Sequence, residues 1–197
     1  MKRVHRTMAI AAAMLVSISA AQAASAAQAA GDRPPGDNGR PNDGIFPANA
    51  APRPPNSTKP PRAPAIDVAM AAVKAIAEGC KQYPLGIAIV NSEGMPILTY
   101  IPDGSRAFHT YNAIRKAYSA VVFKSLSSDY TVKAQQGDAE LLARLKADPN
   151  LMAYSGGVPL KVGDEVIGAI GVSGAEPGGH DQECGLIGLE KIKGQLK

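Results

Sequence analysis

The succession of apolar patterns along this chain predicts an α+β domain, with helices packed around an antiparallel sheet. Two pairs of strand-like runs point to it. Residues 85–90 and 95–101 flank Asn91-Ser92-Glu93-Gly94, and residues 158–162 and 166–172 flank Gly163-Asp164. Short β-prone runs around Gly-containing turns are hairpin signals. Stretches with apolar residues at helical spacing precede, separate and follow the two hairpins. Helix, hairpin, helix, hairpin, helix is the order of an antiparallel α+β layer, not of a βαβ unit. In residues 166–172 Val166, Gly168, Ile170 and Val172 alternate with Ile167, Ala169 and Gly171. Both faces are small or apolar, so this strand is expected to be central and covered on both sides. Pro159 has no N–H and suits a strand start or an edge.

Before that domain lie two segments of other character. Lys2, Arg3 and Arg6 precede an apolar run from Met8 to Ile18, and Ala21-Gln22-Ala23 and Ala27-Gln28-Ala29 offer small-x-small cleavage sites. Residues 1–29 therefore read as a secretory signal peptide, too short for a comfortable membrane span. The mature protein is expected in the periplasm or outside the cell. Residues 30–65 carry ten of the sixteen prolines and almost no apolar side chains beyond Ile45 and Phe46. Such a segment cannot bury enough surface to offset its ordering entropy, and it reads as a disordered, semi-rigid linker.

The domain occupies residues 66–197. Ala69, Val73, Ile76, Ala77 and Cys80 recur at helical spacing, which predicts a helix over 67–81 with Asp67 as its cap. A second helix is expected over 108–124, with Ile114, Ala117, Tyr118 and Val121 on one stripe. Short helical turns follow near 130–135 and 138–146, ended by Asp148-Pro149-Asn150. A last helix is expected over 181–196 after Gly178-Gly179.

The formal charge of the 197-residue chain is +4, but the excess is in the extensions. Residues 66–197 hold 13 basic and 14 acidic side chains. The domain has no basic footprint for nucleic acid.

Few residues point to chemistry. Cys80 and Cys184 fall on the first and last helices. An oxidising compartment would permit a bond between them, yet either could equally serve as a small buried hydrophobe. No C-x-x-C motif is present, and His109 and His180 are too few for a zinc cluster. Gly171-Val-Ser173-Gly174-Ala175 approaches a nucleophile elbow, but its fifth residue is Ala, which argues against a serine hydrolase. The glycines do not spell a dinucleotide fingerprint. Arg115-Lys116 could hold ligand carboxylates or lie on a solvated helix face. His109, between Phe108 and Tyr111, could face a flat aromatic ligand or sit near a helix cap. Glu176 and Asp181 suit a cap better than acid–base work.

Several stretches together resemble the GlcG/HbpS-like family of haem-binding or haem-degrading proteins. They are Ile87-Ala88-Ile89-Val90, the Asn91–Gly94 turn, Arg115-Lys116-Ala117-Tyr118-Ser119-Ala120, Gly156-Gly157-Val158-Pro159-Leu160, residues 167–175, and Asp181 with Cys184. The resemblance covers residues 66 to 196 and implies a profilin-like three-layer α/β/α domain with a central antiparallel sheet. It also implies homo-oligomers and, for exported members, haem or iron as ligand and a membrane sensor as partner. Other members of the family stand in glycolate-utilisation operons or are fused to a corrinoid adenosyltransferase. The chain departs from the family pattern at Asn91, where Asp is usual.

On this resemblance the ligand site is expected around His109, Tyr111, Arg115, Lys116, Tyr118 and Ser119. His109 is the first choice as iron donor, with Tyr111 or Tyr118 as alternatives. Arg106, Arg115 or Lys116 are the candidates for haem propionates. The function expected is that of a secreted haem-binding protein, with a small-molecule enzyme or an oligomeric interaction module as the rival readings.

Overall fold

The computed structural model describes residues 60–176 and 179–197. The segments expected to be a signal peptide and, for nearly all of its length, a Pro-rich linker lie outside the described residues. In order, the elements are α1 (Ile66–Gly79), β1 (Gly86–Asn91), β2 (Pro96–Tyr100), α2 (Ala107–Phe123), α3 (Ser127–Gln135), α4 (Ala139–Ala147), β3 (Gly157–Val162), β4 (Glu165–Ser173) and α5 (His180–Ile192). A short 3₁₀ turn, Lys193–Gln195, follows α5. The four strands form one antiparallel sheet in the order β2-β1-β4-β3. Among the described residues no helix is long and apolar enough to cross a membrane.

The sheet is the middle of three layers. On one face α1 and α5 bury Ala69, Ala72, Ile76 and Ile192 against Ile87, Ile89, Ile170 and Val172. Each fully buried Ile contributes about 1.5–3 kcal/mol in transfer free energy. On the other face α2 packs Ala113, Ala117 and Ala120 over Ala88, Val90 and Ala169. These contacts are small, so α2 lies very close to the sheet. A Cβ on Gly171 would overlap the Ala113 carbonyl, and one on Gly157 the Lys116 carbonyl. That closeness brings the side chains of α2 to the ends of β3 and β4.

The expected alternation along β4 breaks at one point. Leu160 pairs with Gly168 but Lys161 with Val166, so Ile167 is an extra residue in a β-bulge. The bulge returns Val166 to the α2 face beside Ala169 and turns Ile167 into the α1/α5 core. Val166 therefore does not share a face with Ile170, as simple alternation predicts.

Helix starts also differ from expectation. Asp67 lies in the first turn of α1 and makes no side-chain cap bond. Asp138 does cap α4, with Oδ1 accepting the Leu141 N–H at 2.9 Å. Asn91 is the hub of its turn: its Oδ1 accepts the N–H groups of Glu93 and Met95, both at 2.9 Å. The amide does this without charge.

Two connections fasten the domain. Residues 60–65, read from composition as part of the linker, pack on the domain. Pro64 is buried, Arg62 and Ser92 exchange hydrogen bonds, and the Arg62 side chain pairs with Glu165 and the Lys197 carbonyl. Composition misses this because one buried proline and one tethered arginine leave no apolar pattern. Cys80 and Cys184 are joined in a disulfide with Cα atoms 6.1 Å apart, which resolves the alternative left open by sequence. It ties the end of α1 to the first turns of α5.

Candidate functional site

Lys116 is the first anomaly. Of the two alternatives for its charge, a ligand site or a solvated helix face, the second does not hold: Lys116 is only 5% exposed. Helix α2 presses its stem against the sheet, and the ammonium emerges beyond the end of β4. There Nζ donates to Asp181 Oδ2 at 2.7 Å and lies 3.5 Å from Ser173 Oγ. Asp181 stands in the first turn of α5, where the helix dipole favours a carboxylate. Its Oδ1 also accepts the Ala175 N–H at 2.8 Å, an amide of the loop before α5 and not of the helix, so Asp181 ties down that loop and does not form the helix cap expected of it. One carboxylate thus holds both the loop after β4 and the Lys116 ammonium. Gly156, at φ 126°, makes room: a Cβ there would stand 2.9 Å from Lys116 Cδ.

His109 lies two turns earlier on the same stripe of α2, about 10.5 Å along the helix axis. It is 7% exposed, not a surface histidine. Among the described residues its Nδ1 is buried with no hydrogen-bond partner. Gly174, at φ 113°, faces it, and a Cβ there would be 2.7 Å from Nδ1. Burial lowers the pKa of His109 below 6.5, outweighing the carboxylates of Asp181 and Glu176 that act the other way. The ring is therefore neutral near pH 7 and keeps a lone pair for a proton or a metal.

His109, Lys116, Ser173 and Asp181 share a pocket of about 660 Å³ with Phe108, Asn112, Met152 and Tyr154. Phe108, Met152 and Tyr154 supply its apolar surface, the two aromatic rings largely exposed, while Asn112, Thr131, Gln135, Ser155 and Glu176 line it together with the Lys116–Asp181 pair. Its size is within the range of small-molecule and cofactor sites.

The remaining expected site residues are near the pocket but perform other work. Arg115 donates to the carbonyls of Pro149 at 2.7 Å, Leu151 at 3.1 Å and Asn150 at 3.4 Å. Tyr111 lies under that guanidinium, 5.5 Å from ring centroid to Arg115 Cζ. Tyr118 donates to Asp148 Oδ2 at 2.8 Å, and burial with this bond raises its pKa well above the ordinary tyrosine value. Ser119 Oγ donates to the Arg115 carbonyl and accepts the Met152 N–H at 2.8 Å. Tyr111, Arg115, Tyr118 and Ser119 thus form a clamp on residues 148–152. His109 and Lys116 line the pocket itself. Arg106, the N-cap of α2, is exposed. His180 begins α5, pairs with Glu183 and stacks on Tyr83.

Sequence reasoning missed Met152 and Tyr154 and did not join Ser173 to Lys116. Met152 and Tyr154 lie in an irregular polar stretch with no periodicity. Asp181 carries part of the family resemblance, but nothing in the sequence pairs it with Lys116.

The family model described as "Haem degrading protein HbpS-like" matches residues 62–190. The chain belongs to the HbpS-like family. Its fold is shared with several solved structures at low sequence identity. The crystal structure of Klebsiella pneumoniae protein ORFY is 21% identical with a TM-score of 0.63, covering 72% of this chain and 98% of that one. A PduOC:heme complex is 20% identical with a TM-score of 0.61, covering 68% and 97%. A double mutant of Streptomyces reticuli HbpS is 25% identical with a TM-score of 0.60, covering 71% and 93%. No curated protein matches by sequence. The HbpS-like match begins at Arg62, the residue whose side chain is tethered to Glu165.

Proposed function

We propose that this protein is exported and binds haem in the pocket between α2, the end of β4 and residues 148–156. The observation that carries the reading is His109: a buried, neutral imidazole opening on a pocket walled by Phe108, Met152 and Tyr154. Haem needs an apolar slot and an axial donor, and the reading is supported by Phe108, Met152 and Tyr154 for the first and His109 for the second. Nδ1 is buried against Gly174, where the ring takes the place of a Cβ, so Nε2 would be the nitrogen offered to a ligand. His109 would hold the iron, while Phe108 and Tyr154 would cover the macrocycle. Arg115 is committed to three carbonyls and Lys116 to Asp181, which leaves the exposed Arg106 as the cation for a propionate. Bound haem would supply iron redox chemistry. The chain would supply exclusion of water, orientation and charge.

Export rests on the charged and apolar pattern of residues 1–29 and is supported by the Cys80–Cys184 bond, since disulfides persist in oxidising compartments. Residues 30–59 would then be a tether, and the role one of haem or iron sequestration or of presentation to a membrane sensor, as a homo-oligomer.

A titration of the mature protein with hemin, followed in the Soret region, tests the reading. A saturable, shifted band at stoichiometric ratio is expected, and it should weaken or move in His109→Ala. A nonsaturating rise like that of free hemin would overturn it.

A second reading, chemistry on the bound ligand, is favoured by one feature. The Lys116–Asp181 pair and Ser173 open on the same pocket and could hand a proton to a reacting oxygen. Turnover of bound haem in the presence of reductant or peroxide would select this reading, and stable haem under both conditions would remove it.

A further inference from the structure

Residues 148–152 are held with unusual thoroughness for a connection between a helix and a strand. Four backbone groups are tied to α2: the carbonyls of Pro149, Asn150 and Leu151 accept from Arg115, and the N–H of Met152 donates to Ser119 Oγ. Tyr118 adds a bond to Asp148, whose Oδ1 in turn accepts the Asn150 N–H at 2.9 Å. Leu151 is buried and anchors the segment. Farther along, Ser127 Oγ accepts the N–H groups of Gly156 and Gly157 at 2.7 and 2.8 Å. The tied segment ends at Met152, a partly buried thioether that lines the same space as His109 and also the adjoining cavity beside Arg115 and Leu151.

The clamp satisfies backbone groups that α2 covers, and in doing so it also fixes the backbone of Met152. A methionine used only to fill space is unbranched and adaptable, and it needs no fixed backbone. A methionine that must meet a metal needs its backbone fixed, because the weak thioether bond cannot itself order a loop. Thioether sulfur is a soft ligand, and Met paired with His is an established axial set for haem iron that raises its reduction potential. We propose that Met152 is the second axial ligand for haem held by His109, with Arg115 and Ser119 as its positioning residues. This inference rests on the haem reading above. His109 comes from α2 and Met152 from the clamped loop, so a haem ligated by both would be fastened to two separate parts of the chain. Ligation by both residues would leave no open iron position, which favours electron transfer or storage over oxygen chemistry.

The test is a hemin titration of the whole protein and of Met152→Leu, with absorption and midpoint potential as readouts. Leu conserves volume, and swaps of this kind usually cost under about 1.5 kcal/mol. The unmodified protein is expected to give a low-spin spectrum with a far-red sulfur–iron charge-transfer band. In Met152→Leu saturable binding should persist, the far-red band should vanish, the iron should shift toward high spin and the potential should fall. Equal spectra and potentials in the two proteins would overturn the assignment while leaving haem binding intact. Failure of the unmodified protein to bind hemin would overturn both. Methyl-labelled methionine gives a measurement that does not depend on the variant folding: in the ferrous complex one methyl resonance should move far upfield by the haem ring current. Absence of any such shift would also overturn the assignment.

Discussion

At the residue scale the site depends on groups taken out of water. Lys116 and Asp181 are both buried and satisfy each other. Asp181→Ala would strand the ammonium and is expected to cost about 3–5 kcal/mol in a denaturant melt, as breaking one side of a buried pair does. Replacing both, as in Lys116→Met with Asp181→Leu, should cost much less than Asp181→Ala alone. Equal losses would mean the pair is not coupled as its 2.7 Å separation indicates. His109 makes a second prediction. Its folded pKa lies below the unfolded 6.5, so the folded state binds the proton less readily. The stability from its burial is present above pH 6.5 and is lost as pH falls through the folded pKa. Hemin affinity should fall in the same direction, because the proton competes for the lone pair. The midpoint of that loss should lie below 6.5 and disappear in His109→Ala.

At the element scale α2 does two jobs with two stripes. One stripe, His109, Ala113, Lys116 and Ala120, meets the sheet and the pocket; the other, Arg115, Tyr118 and Ser119, holds the loop. Arg115→Ala removes a charged donor from three carbonyls and should cost about 1.5–3 kcal/mol. Its distinguishing signature is local: amide exchange in residues 148–156 should accelerate while β1 and β4 keep their protection. Uniform acceleration across the domain would instead assign Arg115 to global stability. The helices and hairpins themselves were legible from period and turn chemistry, because apolar spacing and Gly-containing turns are local signals. The bulge at Ile167 was not, since it arises from pairing with β3. The role of Arg115 was not either, because its partners lie some 35 residues away and are backbone carbonyls, which no side-chain pattern announces.

At the scale of the whole molecule, the disulfide joins the two helices that cover one face of the sheet and closes a loop of 104 residues. Chain-entropy arguments give about 4.7 kcal/mol for a loop near that length. Reduction, or Cys80→Ser with Cys184→Ser, is expected to cost about 2–5 kcal/mol, read as a lower denaturation midpoint. Because Asp181 lies one turn before Cys184 on α5, the same change should loosen the Lys116–Asp181 end of the pocket. A weaker hemin titration at temperatures where the domain remains folded would show it.

Period, turn residues and composition by themselves determined the alternation of helices and hairpins and the central place of β4. Both follow from local spacing and apolar burial. Tertiary structure alone decided that Cys80 meets Cys184, that Lys116 is buried against Asp181, and that His109 and Met152 line one pocket. These are meetings between residues tens of positions apart, and the close approach of α2 to the glycines of β3 and β4 brings Lys116 and His109 into that space. A pattern along the chain records which face a residue occupies; only packing decides what it faces.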